Sequence, residues 1–321
     1  MRVGIWISAV FCIFLYGCGI EPEDRDFVTA VGFDKGFEAY ILTAEGNSGE
    51  NTSEKNKSVT DGKGKNIAEA VEVCCLKSPG ELFFGHTTLC IADISLLSDK
   101  TAVNEMVNYM EKDTQISRRV VIMASDDPKA VLEGENGGKD AAEFISEYYR
   151  SHTGEKPTEL DKLCIALKEK GDIVIPAINA TDKSFEISGG ILMADGAAVK
   201  KLTDEEMRCV KWLDDDGSTG YINVETDNNS TFVKMKKKSI VVKPDKIIIK
   251  VEPENENSEI TDEILTLCME KIKQEAQAGL KILYDEDCDL IRMERAFEKE
   301  GIDKPVDSEY VDVNTEISVI M

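Results

Sequence analysis

Two histidines and nine cysteines are the side chains of this 321-residue sequence best suited to nucleophilic, acid–base or metal-binding chemistry. His86 follows Phe83-Phe84-Gly85 in a stretch that reads as a strand, where a histidine could act as a ligand or general base. No serine or cysteine with an aspartate companion stands at motif spacing from it, so His86 reads as structural. His152 lies beside a loop start and reads as a surface residue. Asp214-Asp215-Asp216-Gly217 is rich in oxygen ligands, but it lacks the alternating pattern and closing Glu of a calcium loop and reads as a turn. Asp285-Glu286-Asp287 with Asp289 reads as a solvated charge run before a helix. No GxSxG, HExxH, CxxC, GxxxxGK[ST] or GxGxxG occurs. The expectation is a protein with no catalytic residues, no metal and no cofactor.

Cys18 is different, because its surroundings specify a covalent fate. Arg2 opens the chain, and an apolar run of about 14 residues follows from Val3 to Tyr16. That run is too short to span a bilayer comfortably, which takes about 20 residues. It ends in Leu15-Tyr16-Gly17-Cys18, and the sequence turns polar at Glu21. The arrangement resembles the lipobox of bacterial lipoprotein precursors, with Leu15 at the aliphatic position and Gly17 before the cysteine. Tyr16 is bulkier than the small residue usual there. The resemblance implies that residues 1–17 are a signal peptide and that Cys18 is lipidated. Two acyl chains anchor stably where one is marginal, so everything from Gly19 onward is expected to be a body tethered outside the cytoplasm.

The seven cysteines left after Cys12 and Cys18 are an odd number, and most fall among apolar residues. They read as small buried hydrophobes rather than a disulfide framework. Net charge is −24, and loss of Arg2 with the leader takes the body to about −25. Such a surface argues against nucleic acid as a partner and against adhesion of the whole body to anionic lipid by charge. The basic run from Lys234 to Lys238 then reads as a local balancing patch or a partner contact. A mature length of about 300 residues suggests more than one domain: 18–180 and 181–321, the latter open to further division.

The elements that must position these groups follow from pattern. Strands are expected at Phe27–Phe33 and Tyr40–Ala44 around an Asp34-Lys35-Gly36 turn, with 46–65 as a loop or flexible strand connection. Asn66 caps a helix to Leu76 that shows Ile67, Ala70, Val71 and Cys74 on one face. A strand region from Leu82 to Ile91, a helix over Thr101–Met110 and a strand over Arg118–Ala124 follow, then helices begun by Asp127, Asp140 and Thr158. Pro176 is expected to break the strand of 172–179. Beyond it the chain reads as strands at 185–192 and 198–202, a helix capped by Thr203 with Glu206, and strands at 221–225, 230–243 and 246–252. A long helix of about 259–283, a shorter one of about 290–299 and a strand over Tyr310–Ile320 close it. The fold class is α+β: mixed sheets in more than one domain with flanking helices.

Taken in order, these segments resemble the Ger(x)C family, the lipoprotein C-subunits of spore germinant receptors. The residues that carry the likeness are Asp24 to Gly36, Glu81-Leu82-Phe83-Phe84-Gly85-His86, Met110 to Asp113 with Ser117-Arg118-Arg119, Ile175-Pro176-Ala177-Ile178, and Gly189-Gly190-Ile191-Leu192 with Lys200-Lys201-Leu202. Gly19-Ile20 replaces the family's usual Trp-Asp pair, and Lys112 its usual Arg. The resemblance implies a non-catalytic subunit anchored through Cys18 at the outer face of the inner spore membrane. It also implies assembly with integral membrane A- and B-type subunits in nutrient-triggered germination. A lipoprotein solute-binding module that delivers a ligand to a transporter is the alternative. The β-rich last third with paired helices fits its two-lobed pattern poorly.

Overall fold

The computed structural model describes residues 25–317 except 46–56, 114, 153–154, 170–171, 183, 215–219, 227–228, 244–245, 255–259, 302–307 and 309–310. Strand β1 (Arg25–Phe33) turns through Asp34 into antiparallel β2 (Glu38–Glu45). Asp34 Oδ1 accepts from the Gly36 N–H at 2.8 Å and from that of Glu38 at 3.2 Å, which closes the turn with Phe37 in the left-handed region at φ 53°. Part of the expected loop is instead an edge strand, β3 (Lys57–Lys63), paired with β2. An edge strand needs no apolar alternation, and that is why composition does not reveal it. Gly62 fits there because helix α1 (Ile67–Lys77) lies directly on its backbone: a Cβ would sit 2.2 Å from the Ala70 carbonyl oxygen. Asn66 caps α1 by accepting from the Glu69 N–H at 2.8 Å, and the four apolar residues expected on one face are the buried ones.

The apolar run from Leu82 to Ile91 is not one strand. It divides into β4 (Glu81–Phe83), a 3₁₀ turn over Phe84–His86, and β5 (Leu89–Asp93). The turn is set by the Thr87 N–H donating to the Phe84 carbonyl at 3.0 Å and by Gly85, where a Cβ would meet the Phe83 ring at 2.6 Å. Next come α2 (Ile94–Leu97) and α3 (Lys100–Lys112), capped by Asp93 and Asp99. Then β6 (Val121–Ser125), α4 (Pro128–Glu133), α5 (Ala141–Ser151), α6 (Leu160–Glu169) and β7 (Ile173–Ala180) complete the first part of the chain.

The first sheet runs β3-β2-β1-β5-β6-β7 and continues into β8 (Phe185–Ala194) and β9 (Ala197–Leu202), with β4 paired to β1. Its centre, β1, β5, β6 and β7, is parallel and covered on both faces. Alternate residues divide accordingly. Val31, Phe33, Cys90, Ala92, Ile122 and Ala124 face α1, α3 and α6, while Ala30, Leu89, Ile91 and Met123 face α4 and α5. Pro176 does not break β7. The strand continues to Ala180, and its pairing with β8 shifts register between Pro176 and Ile178, which absorbs the missing donor. Ala180 is thus the last residue of β7 and pairs with Phe185 of the neighbouring antiparallel strand β8.

Helix α7 (Asp204–Lys211) has the full capping box formed by Thr203 and Glu206. A second sheet follows in the order β10 (Tyr221–Thr226), β11 (Asn229–Lys243), β12 (Lys246–Pro253) and β13 (Asp312–Ile317). The last pairing is parallel, so the chain must cross the sheet to make it; α8 (Asp262–Asp285) and α9 (Met293–Glu300) lie in that crossing. α8 buries Cys268, Ile272, Ala276, Leu280 and Leu283 against the sheet. Gly279 brings α8 against α7: a Cβ there would lie 2.4 Å from the Cys209 carbonyl oxygen. Val174, Leu192 and Leu202 of the first sheet belong to this second core, so the two sheets share one apolar junction. Among the described residues no helix is long and apolar enough to cross a membrane.

Candidate functional site

Cys18 lies outside the described residues, which begin seven residues later at Arg25. The end of the sheet nearest to it along the chain is built from β1, β4 and the 3₁₀ turn. The Arg25 guanidinium lies 5.3 Å from the centre of the Phe83 ring and its Nε is 4.0 Å from a Glu81 carboxylate oxygen. Phe27 meets Phe83 edge-on at 6.0 Å and His86 at 4.9 Å. Asp26 ties this rim to the end of α1, accepting from the Ser78 hydroxyl at 2.6 Å and the Gly80 N–H at 3.1 Å. Phe84 donates its N–H to the Gln115 side-chain oxygen at 3.0 Å, which joins the rim to the residues after α3. Beside these rings a groove of about 460 Å³ opens at the amino ends of β5 and β6, with His86, Thr88, Ser117, Arg119, Ser146 and Tyr149 among its walls.

Among the described residues, none of the other candidates read from the sequence lies at this rim. His152 caps α5 from the surface, stacked on Tyr148 at 4.3 Å, with Nδ1 2.9 Å from the Tyr148 carbonyl oxygen. Of Asp214 to Gly217 only Asp214 is described, in the turn after α7, where its N–H donates to the Lys211 carbonyl. Asp289 accepts from the N–H groups of Met293 at 2.6 Å and Glu294 at 3.0 Å and so starts α9, while its own N–H donates to Asp172. Lys234 pairs with Glu254 at 2.6 Å, and Lys238 is buried with its ammonium donating to the Lys211 carbonyl. Among the described residues no three His, Cys, Asp or Glu side chains are grouped to hold a metal.

Six of the seven described cysteines are buried and all seven are free thiols; Cys75 is exposed. Burial pushes Cys74 and Cys90 up to about 12 and Cys164 and Cys268 up to about 11, so these thiols stay protonated and unreactive at neutral pH. At the β1–β2 turn, the Tyr40 hydroxyl lies 2.9 Å from Asp34 and 3.0 Å from Glu38, and Glu38 pairs with Lys63. Burial and then these carboxylates raise Tyr40, while the hydrogen bonds from Lys63 and then Tyr40 hold Glu38 below the usual range. This network accounts for the Gly-Phe-Asp-Lys-Gly stretch, whose work is to close a hairpin.

The model of the spore germination protein N-terminal domain matches residues 19–180, half of the chain. The chain belongs to the Ger(x)C family of spore germination proteins. No curated protein sequence matches it. Among solved structures it is similar to the one described as the crystal structure of the GerBC protein, at a TM-score of 0.54 and 14% identity, over 88% of this chain and 92% of that one. At that identity the likeness is one of fold, and it extends through both sheets. The Ger(x)C segment Glu81 to His86 is where the sequence missed most. Its aromatic residues were legible, but the groove beside them was not. The residues that line the groove come from three separate stretches, and only the sheet order brings them together.

Proposed function

We propose that this Ger(x)C chain is a non-catalytic, lipid-anchored subunit of a spore germinant receptor. In this reading residues 1–17 are removed, Cys18 carries the lipid, and the body stands at the outer face of the inner spore membrane. Its partners there are integral membrane subunits of A and B type, with which it acts in nutrient-triggered germination. The observation that carries the reading is the spacing of leader and fold: an apolar leader ends in Gly17-Cys18, and the first strand, held by neighbours on both sides, begins at Arg25. Seven residues span at most about 25 Å when extended, so a lipid on Cys18 holds the rim of Arg25, Phe83 and His86 close to the bilayer and to any membrane subunit beside it. The buried, protonated thiols and the structural use of Asp34, Asp172 and Asp289 support a role in assembly rather than chemistry.

Cys18→Ala should release the protein from the membrane fraction and impair nutrient-triggered germination, as read by fractionation and by loss of spore refractility. Normal membrane fractionation of that variant would refute the anchor. The wild-type chain should co-purify from detergent-solubilised spore membranes with a multi-span partner, and recovery only as a free monomer would refute the subunit reading.

A further inference from the structure

The groove at the amino ends of β5 and β6 differs chemically from the rest of the surface. The chain has 62 acidic residues, yet none of the described residues lining this groove is a carboxylate. Arg119 lines it, exposed and without an ion-pair partner among the described residues. The Ser117 hydroxyl accepts from the Arg119 N–H at 3.2 Å, which leaves its own proton available. The Ser146 hydroxyl and the His86 ring make no hydrogen bond to a described residue, and both are exposed at the groove. A guanidinium, free hydroxyl donors and an imidazole around one opening are the donors that a phosphate group takes up. The rings of Phe27 and Phe83 pack against the His86 ring that lines it, at 4.9 and 5.8 Å. Aromatic rings beside cationic groups are the side chains that settle at a lipid headgroup layer.

We propose that this groove holds the phosphate of an anionic lipid headgroup. The proposal rests on the anchor at Cys18, because the seven-residue tether is what presents the rim to the bilayer. It also resolves a difficulty of charge. A body of about −25 is repelled by an anionic surface as a whole, but it can be oriented on that surface through one carboxylate-free opening. The lipid supplies attachment and the groove supplies orientation, turning the amino ends of the parallel strands toward the membrane.

The test uses the full chain recovered from membranes and reconstituted into vesicles of phosphatidylcholine, with or without phosphatidylglycerol. Amide exchange is then read at residues 85–88 and 117–121. The expected result is exchange several-fold slower at both segments in the phosphatidylglycerol vesicles only. Arg119→Glu, or Ser146→Asp as a second variant that keeps the arginine, should abolish the difference; Lys243→Glu on the second sheet should not. Equal exchange in the two vesicle types overturns the proposal. Equal protection from free inorganic phosphate in phosphatidylcholine vesicles overturns the assignment to lipid. The mass of the peptide containing Cys18 reports the anchor separately. Protection without a lipid on that peptide would remove the anchor and retain the headgroup contact, whereas a lipidated peptide without protection would do the reverse.

Discussion

The two sheets solve the same problem of burial differently. The first places four parallel strands at its centre and covers both faces with helices, so Phe33 is 1% exposed with neighbours on every side. The second is covered on one face by α8 and α9 and leaves part of the other exposed, so Phe232 on β11 is 68% exposed. These two strand phenylalanines therefore do opposite things. Phe33 is part of a closed core, and Phe232 belongs to a surface. The difference also shows in the residues that pair across the ladders. At the start of the β12–β13 pair Lys246 stands beside Asp312, opposite charges in register, as a solvated edge allows.

That contrast can be broken by substitution. Phe33→Ala should cost the most, about 3–5 kcal/mol in chemical denaturation, because both transfer and cavity terms apply. Ile272→Ala on α8 should cost about 2–5 kcal/mol. Because Val174, Leu192 and Leu202 belong to the second core, it should move one cooperative transition; two separated transitions would show that the sheets are energetically independent. Thr203→Ala removes the cap of α7 and should cost about 1 kcal/mol. The same cap carries a pH signature. The Thr203 backbone N–H and then Lys200 hold Glu206 below the usual carboxylate range. Its contribution is therefore complete above that range and lost as pH falls through the folded value; the loss on acidification should persist in Thr203→Ala, which keeps the backbone N–H, and be smaller in Lys200→Met. Phe232→Ser should stay within about 0.5 kcal/mol.

Sequence pattern revealed most of the elements where caps and periodicity agree. Asn66 with Glu69 and Thr203 with Glu206 mark helix starts that the hydrogen bonds reproduce, and the stripe from Ile264 to Leu283 lies on the second sheet. Three features were hidden for physical reasons. β3 is an edge strand whose polar side chains give no alternation. The apolar run through Phe83 and Phe84 conceals a turn that depends on a ring folding over Gly85. Pro176 reads as a break because a proline lacks a donor, yet a register shift lets β7 pass it. The expectation at Cys18 comes from the leader alone and falls outside the described residues. The groove could not be read, since Thr88, Arg119 and Ser146 are distant along the chain.

The first strand also sets how the body responds to load. β1 is hydrogen-bonded to β2 along one side and to β4 and β5 along the other. A pull delivered through the residues before Arg25 runs along the strand and strains these bonds together in shear, instead of peeling them one at a time. With the proposed anchor at Cys18 in place, the sheet is a stiff mount for the body, since the strands on both sides of β1 share its load.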